Sequence, residues 1–174
     1  MGCLFHKINL QLVHAMAMTE RLTDLWIEQL KSLHSLECQF AKILPAMARS
    51  AEREEVRTFL LHHRVRAKAH AEMLRGILAD LDEMPGDGTC AAMERLVAEW
   101  HPTGDDVELL RTVRRGVHQE IERLARAVNG ARVLGYDDAA DMLCAAMEEE
   151  QYEDAALAKV GRHIHGHASR YVAA

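Results

Sequence analysis

Four stretches of the chain repeat apolar residues at helical spacing, and each carries ionisable residues inside its apolar stripe. The first stripe contains Leu22, Trp26, Leu30, Leu33, Phe40 and Leu44. The interrupting residues are Glu37 in the first stripe, His63 and His70 in the second, Glu120 in the third and Glu150 in the fourth. Because residues three or four apart share a helix face, this pattern predicts an all-α fold, a four-helix bundle with a polar cluster at its centre.

Glycine and proline divide the pattern into helices. We expect a first helix from about residues 19–23 to Leu44, broken or kinked by Pro45, which lacks the N–H that a helix interior needs. Ser50 is the expected cap of the second helix, and Thr103 with Asp106 the capping pair of the third. The remaining helices are expected over about residues 50–83, 90–100, 105–133 and 137–163. Two antiparallel hairpins joined by a long crossover that carries a short extra helix are typical of the ferritin-like four-helix bundle.

The length of 174 residues suits one domain. We assign residues 19–168 to the bundle and residues 169–174 to a C-terminal tail. Residues 1–18 form an N-terminal extension that we expect to be poorly structured, because His6, Lys7 and His14 interrupt its apolar residues. Two interpretations stay open for it: a weak amphipathic lead-in, or an extension upstream of a start at Met16 or Met18. It has no continuous apolar run of membrane-spanning length and no clean signal-peptide layout.

Composition and charge exclude several classes of function. A net charge of -6 argues against a nucleic-acid binder, since phosphate neutralisation needs a basic face. The basic run Arg111, Arg114 and Arg115 is answered by acidic neighbours and is typical of a solvated helix face. The four cysteines have no metal-finger or redox-motif spacing, which favours reduced thiols in a cytoplasmic protein. No other apolar run reaches membrane length, so we expect no membrane partner.

The residues inside the stripes have the chemistry of metal ligands. Carboxylate oxygen and imidazole nitrogen suit hard or borderline divalent metals, and a carboxylate in an apolar seam is costly unless it is paired or metal-bound. The predicted ligands are Glu37, His70, Glu120 and Glu150. Each has an alternative: a buried salt bridge to arginine for Glu37 and Glu120, a hydrogen-bonded core position for a histidine, and a solvated face for the acidic run of the fourth helix.

Over about residues 19–160 the chain resembles the YciE/YciF-type ferritin-like bacterial stress proteins. The segments that carry the resemblance are LWIEQLKSLHSLECQFAKILPAMA, TCAAMERLVAE and VLGYDDAADMLCAAMEEEQYEDAALAKV. The resemblance implies a fold like that of ferritin and rubrerythrin, a homodimer, and a site for iron or another pair of metals. The biochemical activity of this family is poorly defined.

The family's motifs fall on particular residues of this chain. They fall on Glu37 in helix one, on His118 and Glu120 in helix three, and on Glu148, Glu149, Glu150 and Asp154 in helix four. The resemblance implies oxidation of Fe(II) by dioxygen or peroxide. In this chemistry Glu37 and Glu120 are terminal or bridging ligands, Glu150 bridges, His70 is a nitrogen ligand, and His63 and Asp154 are outer groups or additional ligands.

Helix two departs from the family, because Val65 and Arg66 stand where carboxylates precede the histidine. Two hypotheses stay open. Either Arg66 replaces the metal charge by holding two carboxylates, or it points outward and the four predicted residues still bind metal.

The function also has two alternatives. One is a metal protein, with iron or another divalent ion. The other is a non-enzymatic helical interaction protein without metal, which self-associates through apolar residues outside the seam. Those residues are Leu36, Leu109, Ile121 and Val128. The C-terminal histidines His163, His165 and His167 alternate, so they do not face one another, and we expect a surface tail rather than a designed site.

Overall fold

The computed structural model describes residues 2–86, 90–102 and 104–171, with side chains from residue 14 to residue 164 apart from residue 15. The described residues form five α-helices and no strand. These helices are α1 Gly2–Ser50, α2 Glu54–Asp80, α3 Ala91–Glu99, α4 Asp106–Leu134 and α5 Asp137–Tyr171. The predicted all-α fold with a short extra helix in the crossover is therefore confirmed.

The helices pack as two antiparallel pairs. In the pair α1–α2, Lys31 bonds Glu83 at one end, while Glu37 faces His70 further along, so residue numbers rise on one helix as they fall on the other. The pair α4–α5 is antiparallel as well, because Arg114 contacts Asp154 while Arg132, further along α4, contacts Cys144. Helix α1 also packs against α4, and α3 lies against both of them. None of the described helices is long and apolar enough to cross a membrane.

Helix α1 differs from the prediction at both ends. Its backbone is helical from Gly2 rather than from residues 19–23, and it passes through Pro45 to end at Ser50. Leu44 and Met47 on either side of the proline are fully buried. The burial of two large side chains offsets the lost hydrogen bond. The assignment of residues 1–18 as a separate extension stays a prediction.

The predicted capping pair of α4 is also corrected. Asp105 caps this helix, since its Oδ1 accepts hydrogen bonds from the backbone N–H groups of Val107 and Glu108 at 2.8 and 3.4 Å. Asp106 instead accepts the backbone N–H groups of Glu52 and Arg53, each at 2.9 Å, and so caps the start of α2 from another helix.

Ser50, the predicted cap of α2, is instead the last residue of α1 and donates a hydrogen bond to the Met47 carbonyl. The other predicted member of the α4 capping pair, Thr103, lies outside the described residues. The carboxylate of Asp106 therefore joins the two helix pairs at this end of the bundle.

Two apolar clusters fill the bundle above and below the middle of the helices. One contains Phe40, Leu60, Val117 and Leu157, and the other contains Trp26, Leu33, Leu74, Leu124 and Leu143. Glu37 lies between Leu33 of one cluster and Phe40 of the other. The apolar stripes thus place the ionisable residues at the level where the two clusters meet.

Three of the apolar residues expected at a self-association surface lie in the core instead. Leu36, Leu109 and Val128 are 0%, 5% and 4% exposed. Leu36 and Leu109 share a cluster with Met93 and Leu96 of α3, because the crossover helix lies against α1 and α4. The chain's own crossover helix therefore lies over this part of the bundle.

Candidate metal centre

Ionisable side chains from all four long helices meet at the middle of the bundle. The four that are completely buried are Glu37 from α1, His63 from α2, Glu120 from α4 and Glu150 from α5. His70 and Glu153 are each 5% exposed. Three of the predicted ligands, Glu37, Glu120 and Glu150, are therefore as buried as the apolar core, and a charged carboxylate at such a position needs a partner.

His63 is the link between α4 and α5. Its Nε2 lies 3.7 Å from Glu120 Oε2 and its Nδ1 lies 3.9 Å from Glu150 Oε2. One ligand atom from each of these three residues lies within 4.8 Å of the others. The ring of Phe40 meets the imidazole edge-on, with 4.8 Å between centroids, and fixes its position. Gly116 makes room for that ring, because a Cβ atom there would lie 2.6 Å from Phe40 Cζ.

His70 joins the buried carboxylates to the surface. Its Nε2 lies 3.1 Å from Oε2 of Glu149, which is exposed. Because a carboxylate only accepts hydrogen bonds, Nε2 carries the donated proton. Its Nδ1 faces Glu37 Oε1 at 3.7 Å and Glu150 Oε1 at 3.5 Å. A nitrogen lone pair cannot face two carboxylate oxygens without a cation between them, so this atom requires either a proton or a metal ion.

Arg66 points inward, which answers one question that the sequence left open. Its Nε donates to Glu150 Oε1 at 3.1 Å, and its Nη2 is ion-paired with Glu153 Oε2. The same Nη2 lies 3.4 Å from His63 Nδ1. The guanidinium therefore supplies one positive charge to the centre, on the side of α5.

The environment shifts the pKa values of the whole cluster. Burial raises the pKa of Glu37 and raises that of Glu120 well above its usual value, the latter with repulsion from Glu37 and Glu150. Burial and the charge of Glu37 raise the pKa of Glu150 to about 7. Burial and the charge of Arg66 lower the pKa of His63 to about 3, so this imidazole is neutral at physiological pH.

Burial also acts to lower the pKa of His70, but the neighbouring Glu37, Glu150 and Glu149 carboxylates outweigh this effect and raise it. The cluster without metal thus relieves its negative charge by holding protons.

Within the part of the chain that the structure describes, several buried atoms of this cluster have no hydrogen-bond partner. They are both carboxylate oxygens of Glu37 and of Glu120, His63 Nε2, His70 Nδ1, Glu150 Oε2 and Glu153 Oε1. Buried polar groups are paired in the great majority of cases. Every one of these atoms is of a type that binds metal ions when deprotonated, so the donor set fits a divalent cation.

Asp154, predicted as an outer group or an additional ligand, lies in a different cluster. It accepts hydrogen bonds from Arg114 Nε and Nη2 at 2.6 and 3.0 Å, and it contacts His118 Nε2 at 2.8 Å. The hydrogen bond from Arg114 holds the pKa of Asp154 below its usual value. His118, part of the family motif, is thus on the exposed side of α4, because residues two apart on a helix point in nearly opposite directions.

Glu153, to which the sequence pattern assigned no role, faces the centre beside His63 and Arg66. The signal that identifies it is its spacing of three from Glu150, which places both carboxylates on one face of α5. Glu148 is exposed and contacts Cys144. His163 is exposed as well, and His165 and His167 lie outside the described side chains.

Comparisons with known proteins agree with this architecture. The family model "Domain of unknown function (DUF892)" matches residues 21–168. The structure of YcfI from Rhodopseudomonas palustris is similar, with a TM-score of 0.73 and 24% sequence identity, over 78% of this chain and 92% of that one. The E. coli stress protein YciF is similar with a TM-score of 0.76 and 23% identity, over 80% of this chain and 94% of that one.

No protein with curated annotation matches the chain. At these identities the two solved structures establish the fold, while the family model covers most of the sequence. The resemblance that the sequence motifs indicated is confirmed, and the chain belongs to the DUF892 family.

Proposed function

We propose that this protein binds a divalent metal ion, with iron as the physiological ion, at the middle of the helical bundle. The observation that carries the proposal is the convergence of buried oxygen and nitrogen atoms that have no partner among the described residues. In this proposal Glu37, Glu120 and Glu150 bind through oxygen, and His63 and His70 bind through nitrogen. Carboxylate and imidazole together suit Fe(II), Mn(II) and Zn(II).

The charges of the cluster support a cation of charge two. Its buried or nearly buried carboxylates are those of Glu37, Glu120, Glu150 and Glu153. Arg66 supplies one positive charge to them, whereas His70 supplies none when its Nδ1 binds the ion, because that nitrogen is then deprotonated. Three negative charges stay uncompensated when all four carboxylates are ionised, and a divalent ion neutralises two of them. Such a deficit in a buried site is relieved by proton uptake or by a metal ion.

The resemblance to bacterial stress proteins suggests the chemistry. If Fe(II) were bound, each ion would supply one electron, so that two Fe(II) ions and two protons would be consumed for each peroxide reduced to water. This would remove both reactive iron and an oxidant from the cell. The protein's own contribution is to hold the ligands before the metal arrives. Phe40 fixes the His63 ring, and Glu149 holds the Nε2–H of His70 so that Nδ1 faces the centre. Apolar clusters lie on both sides of the site, and its carboxylates Glu37, Glu120 and Glu150 are completely buried.

Metal uptake by the purified full-length chain tests this proposal. The protein is stripped with a chelator, dialysed against Fe(II) without oxygen and analysed for bound metal. We expect binding by the unmodified protein and loss of binding in Glu37→Ala and Glu120→Ala. Glu122→Ala is the matched control, since Glu122 lies on the same helix as Glu120 but is exposed. Metal content no higher than background in the unmodified protein would refute the proposal.

We also propose that the chain forms a homodimer, as the resemblance implies. Leu22 and Leu25 near the start of the bundle and Val133 at the end of α4 are 43%, 62% and 67% exposed, and they line one groove between α1 and α4. Sedimentation velocity at micromolar concentration tests this, with Leu25→Glu expected to shift the protein toward monomer. A monomer in the unmodified protein contradicts the proposal.

A further inference from the structure

We propose that the centre is built for one divalent ion per chain, because the guanidinium of Arg66 occupies the position of a second cation. This inference rests on the metal binding proposed above and specifies its stoichiometry. It joins the two hypotheses left open by the sequence: Arg66 does replace a metal charge, and the remaining ligands still bind metal.

The first support is the set of groups that Arg66 contacts. Its Nε donates to Glu150 Oε1 at 3.1 Å, its Nη2 pairs with Glu153 Oε2, and Nη2 lies 3.4 Å from His63 Nδ1. Two carboxylates and one imidazole are the partners that a metal ion would have at this position. Here they surround a guanidinium, which has five N–H donors and no lone pair to give to a metal.

The second support is the way in which the two ring nitrogens of His63 are divided. Nδ1 lies on the Arg66 side, 3.4 Å from Nη2 of the guanidinium. Nε2 lies on the other side, 3.7 Å from Glu120 Oε2, and lacks a partner among the described residues. The imidazole therefore faces two cation positions, of which one is filled by protein.

The donor atoms that converge most closely belong to three residues. One ligand atom each of His63, Glu120 and Glu150 lies within 4.8 Å of the others, and among the described residues no other group of three meets this limit. Glu37 Oε1 and His70 Nδ1 face each other at 3.7 Å, and Glu153 Oε1 lies on the Arg66 side, 3.6 Å from His63 Nδ1. One converging group is enough for a single ion.

The third support is the spacing of the residues along α2 and α5. Two-metal carboxylate bundles take a Glu and, three residues later, a His from each of two helices. The residues with this spacing are His63 and Arg66 on α2, and Glu150 and Glu153 on α5. The two later members, Arg66 and Glu153, are ion-paired with each other and supply no nitrogen ligand. Neither motif therefore supplies the histidine that the two-metal arrangement takes from it.

The stoichiometry limits the chemistry. A single Fe(II) that becomes Fe(III) gives up one electron, whereas reduction of peroxide to water consumes two electrons and two protons. One chain with one iron therefore cannot complete that reaction by itself. The arrangement favours binding and sequestration of the ion within each chain.

The number of ions bound per folded chain tests the inference. The metal-free full-length protein is titrated with Co(II), whose visible absorption reports occupied sites, and bound metal is measured after equilibrium dialysis. We expect one ion per chain in the unmodified protein and two in Arg66→Glu, which exchanges a cation for a ligand. Arg126→Glu is the control for an added carboxylate, because Arg126 is exposed on α4 and pairs with Glu122 outside the centre. We expect one ion in the control.

Two further measurements keep the result interpretable. Circular dichroism establishes whether Arg66→Glu folds; if it does not, Arg66→Gln replaces it. This variant removes the competing charge without adding a ligand, and we expect it to bind its single ion at least about tenfold more tightly. Unchanged affinity in Arg66→Gln would overturn the inference.

The stoichiometries also separate this inference from the metal-binding proposal. Two ions in the unmodified chain, or one in folded Arg66→Glu, would overturn the inference and leave metal binding intact. An unmodified chain that binds no ion would overturn metal binding itself.

Discussion

The metal-free protein should become more stable when Glu120 is changed to glutamine. Glu120 is completely buried, and neither of its oxygens has a partner among the described residues. Its carboxylate neighbours, Glu37 and Glu150, repel its charge and raise its pKa, and burial raises it further. Glutamine keeps the shape of the side chain and removes the charge, so it removes a cost that only a bound cation would otherwise relieve.

The magnitude follows from two opposing terms. Replacing a buried ion pair by neutral groups of similar volume is neutral or stabilises proteins by about 1–4 kcal/mol, and a buried charge that lacks a partner is costlier than a paired one. The glutamine amide is itself buried, and imperfect pairing costs about 1–3 kcal/mol. Because the site contains many acceptors for an amide N–H, we expect the first term to win, with a net gain of about 1–2 kcal/mol at pH 8.

The gain must depend on pH in one direction. A glutamate ionises near pH 4.3 in the unfolded chain, and Glu120 ionises at a higher pH in the folded protein. The folded protein therefore binds more protons in the window between these two pKa values, and its stability falls as the pH rises through that window. The advantage of Glu120→Gln is greatest above the folded pKa and disappears below about pH 4.

Urea unfolding with a chelator present, at pH 5 and at pH 8, measures both effects. Glu122→Gln is the control, since it removes an exposed carboxylate from the same helix and should change the free energy of unfolding by less than about 1 kcal/mol. With metal present, the unmodified protein should be more stable than Glu120→Gln. An ion at 100 times its Kd stabilises the unmodified protein by about 2.7 kcal/mol, and the variant does not bind it. A metal-free Glu120→Gln protein that is less stable than the unmodified one at pH 8 would refute the reasoning.

Three other substitutions test the groups that support the centre. Gly116→Ala should displace the ring of Phe40, destabilise the fold by about 1–3 kcal/mol in urea unfolding and weaken metal binding. An unchanged metal affinity would show that the ring does not position His63. Asp106→Ala should lower the free energy of unfolding by about 1–3 kcal/mol, because two backbone N–H groups lose their acceptor, and a loss below about 0.5 kcal/mol would contradict this role. Glu149→Ala should weaken metal binding by about 10–100-fold without unfolding the protein, because His70 loses its hydrogen-bond acceptor. Glu149→Gln keeps an acceptor and should bind metal with nearly the affinity of the unmodified protein.

Much of the candidate centre follows from the periodicity of the sequence. Glu37, His70, Glu120 and Glu150 interrupt apolar stripes at helical spacing, and a helix that buries its stripe must bury the interrupting residue as well. All four side chains are 5% exposed or less. The same reasoning predicts the number of long helices and the short helix of the crossover, since glycine and proline separate the apolar repeats.

Periodicity is less informative where neighbouring residues compete for one face. Successive residues point about 100° apart around a helix, so either Glu153 or Asp154 is compatible with an acidic run at the edge of the stripe. Packing of α5 against α4 brings Asp154 to Arg114, and Glu153 is left to face α2. The cover that α3 gives to Leu36 and Leu109 is likewise a contact between distant segments.

The sequence by itself therefore determined which residues are buried together, because burial follows from local helical spacing. Only the tertiary structure decided how their charges are compensated. Arg66 has a long side chain that could extend to solvent or into the bundle, and its direction depends on Glu150 and Glu153 being opposite it on a helix 84 residues away. A pairing between distant segments leaves no periodic signal in the chain, although it decides how many cations the centre still needs.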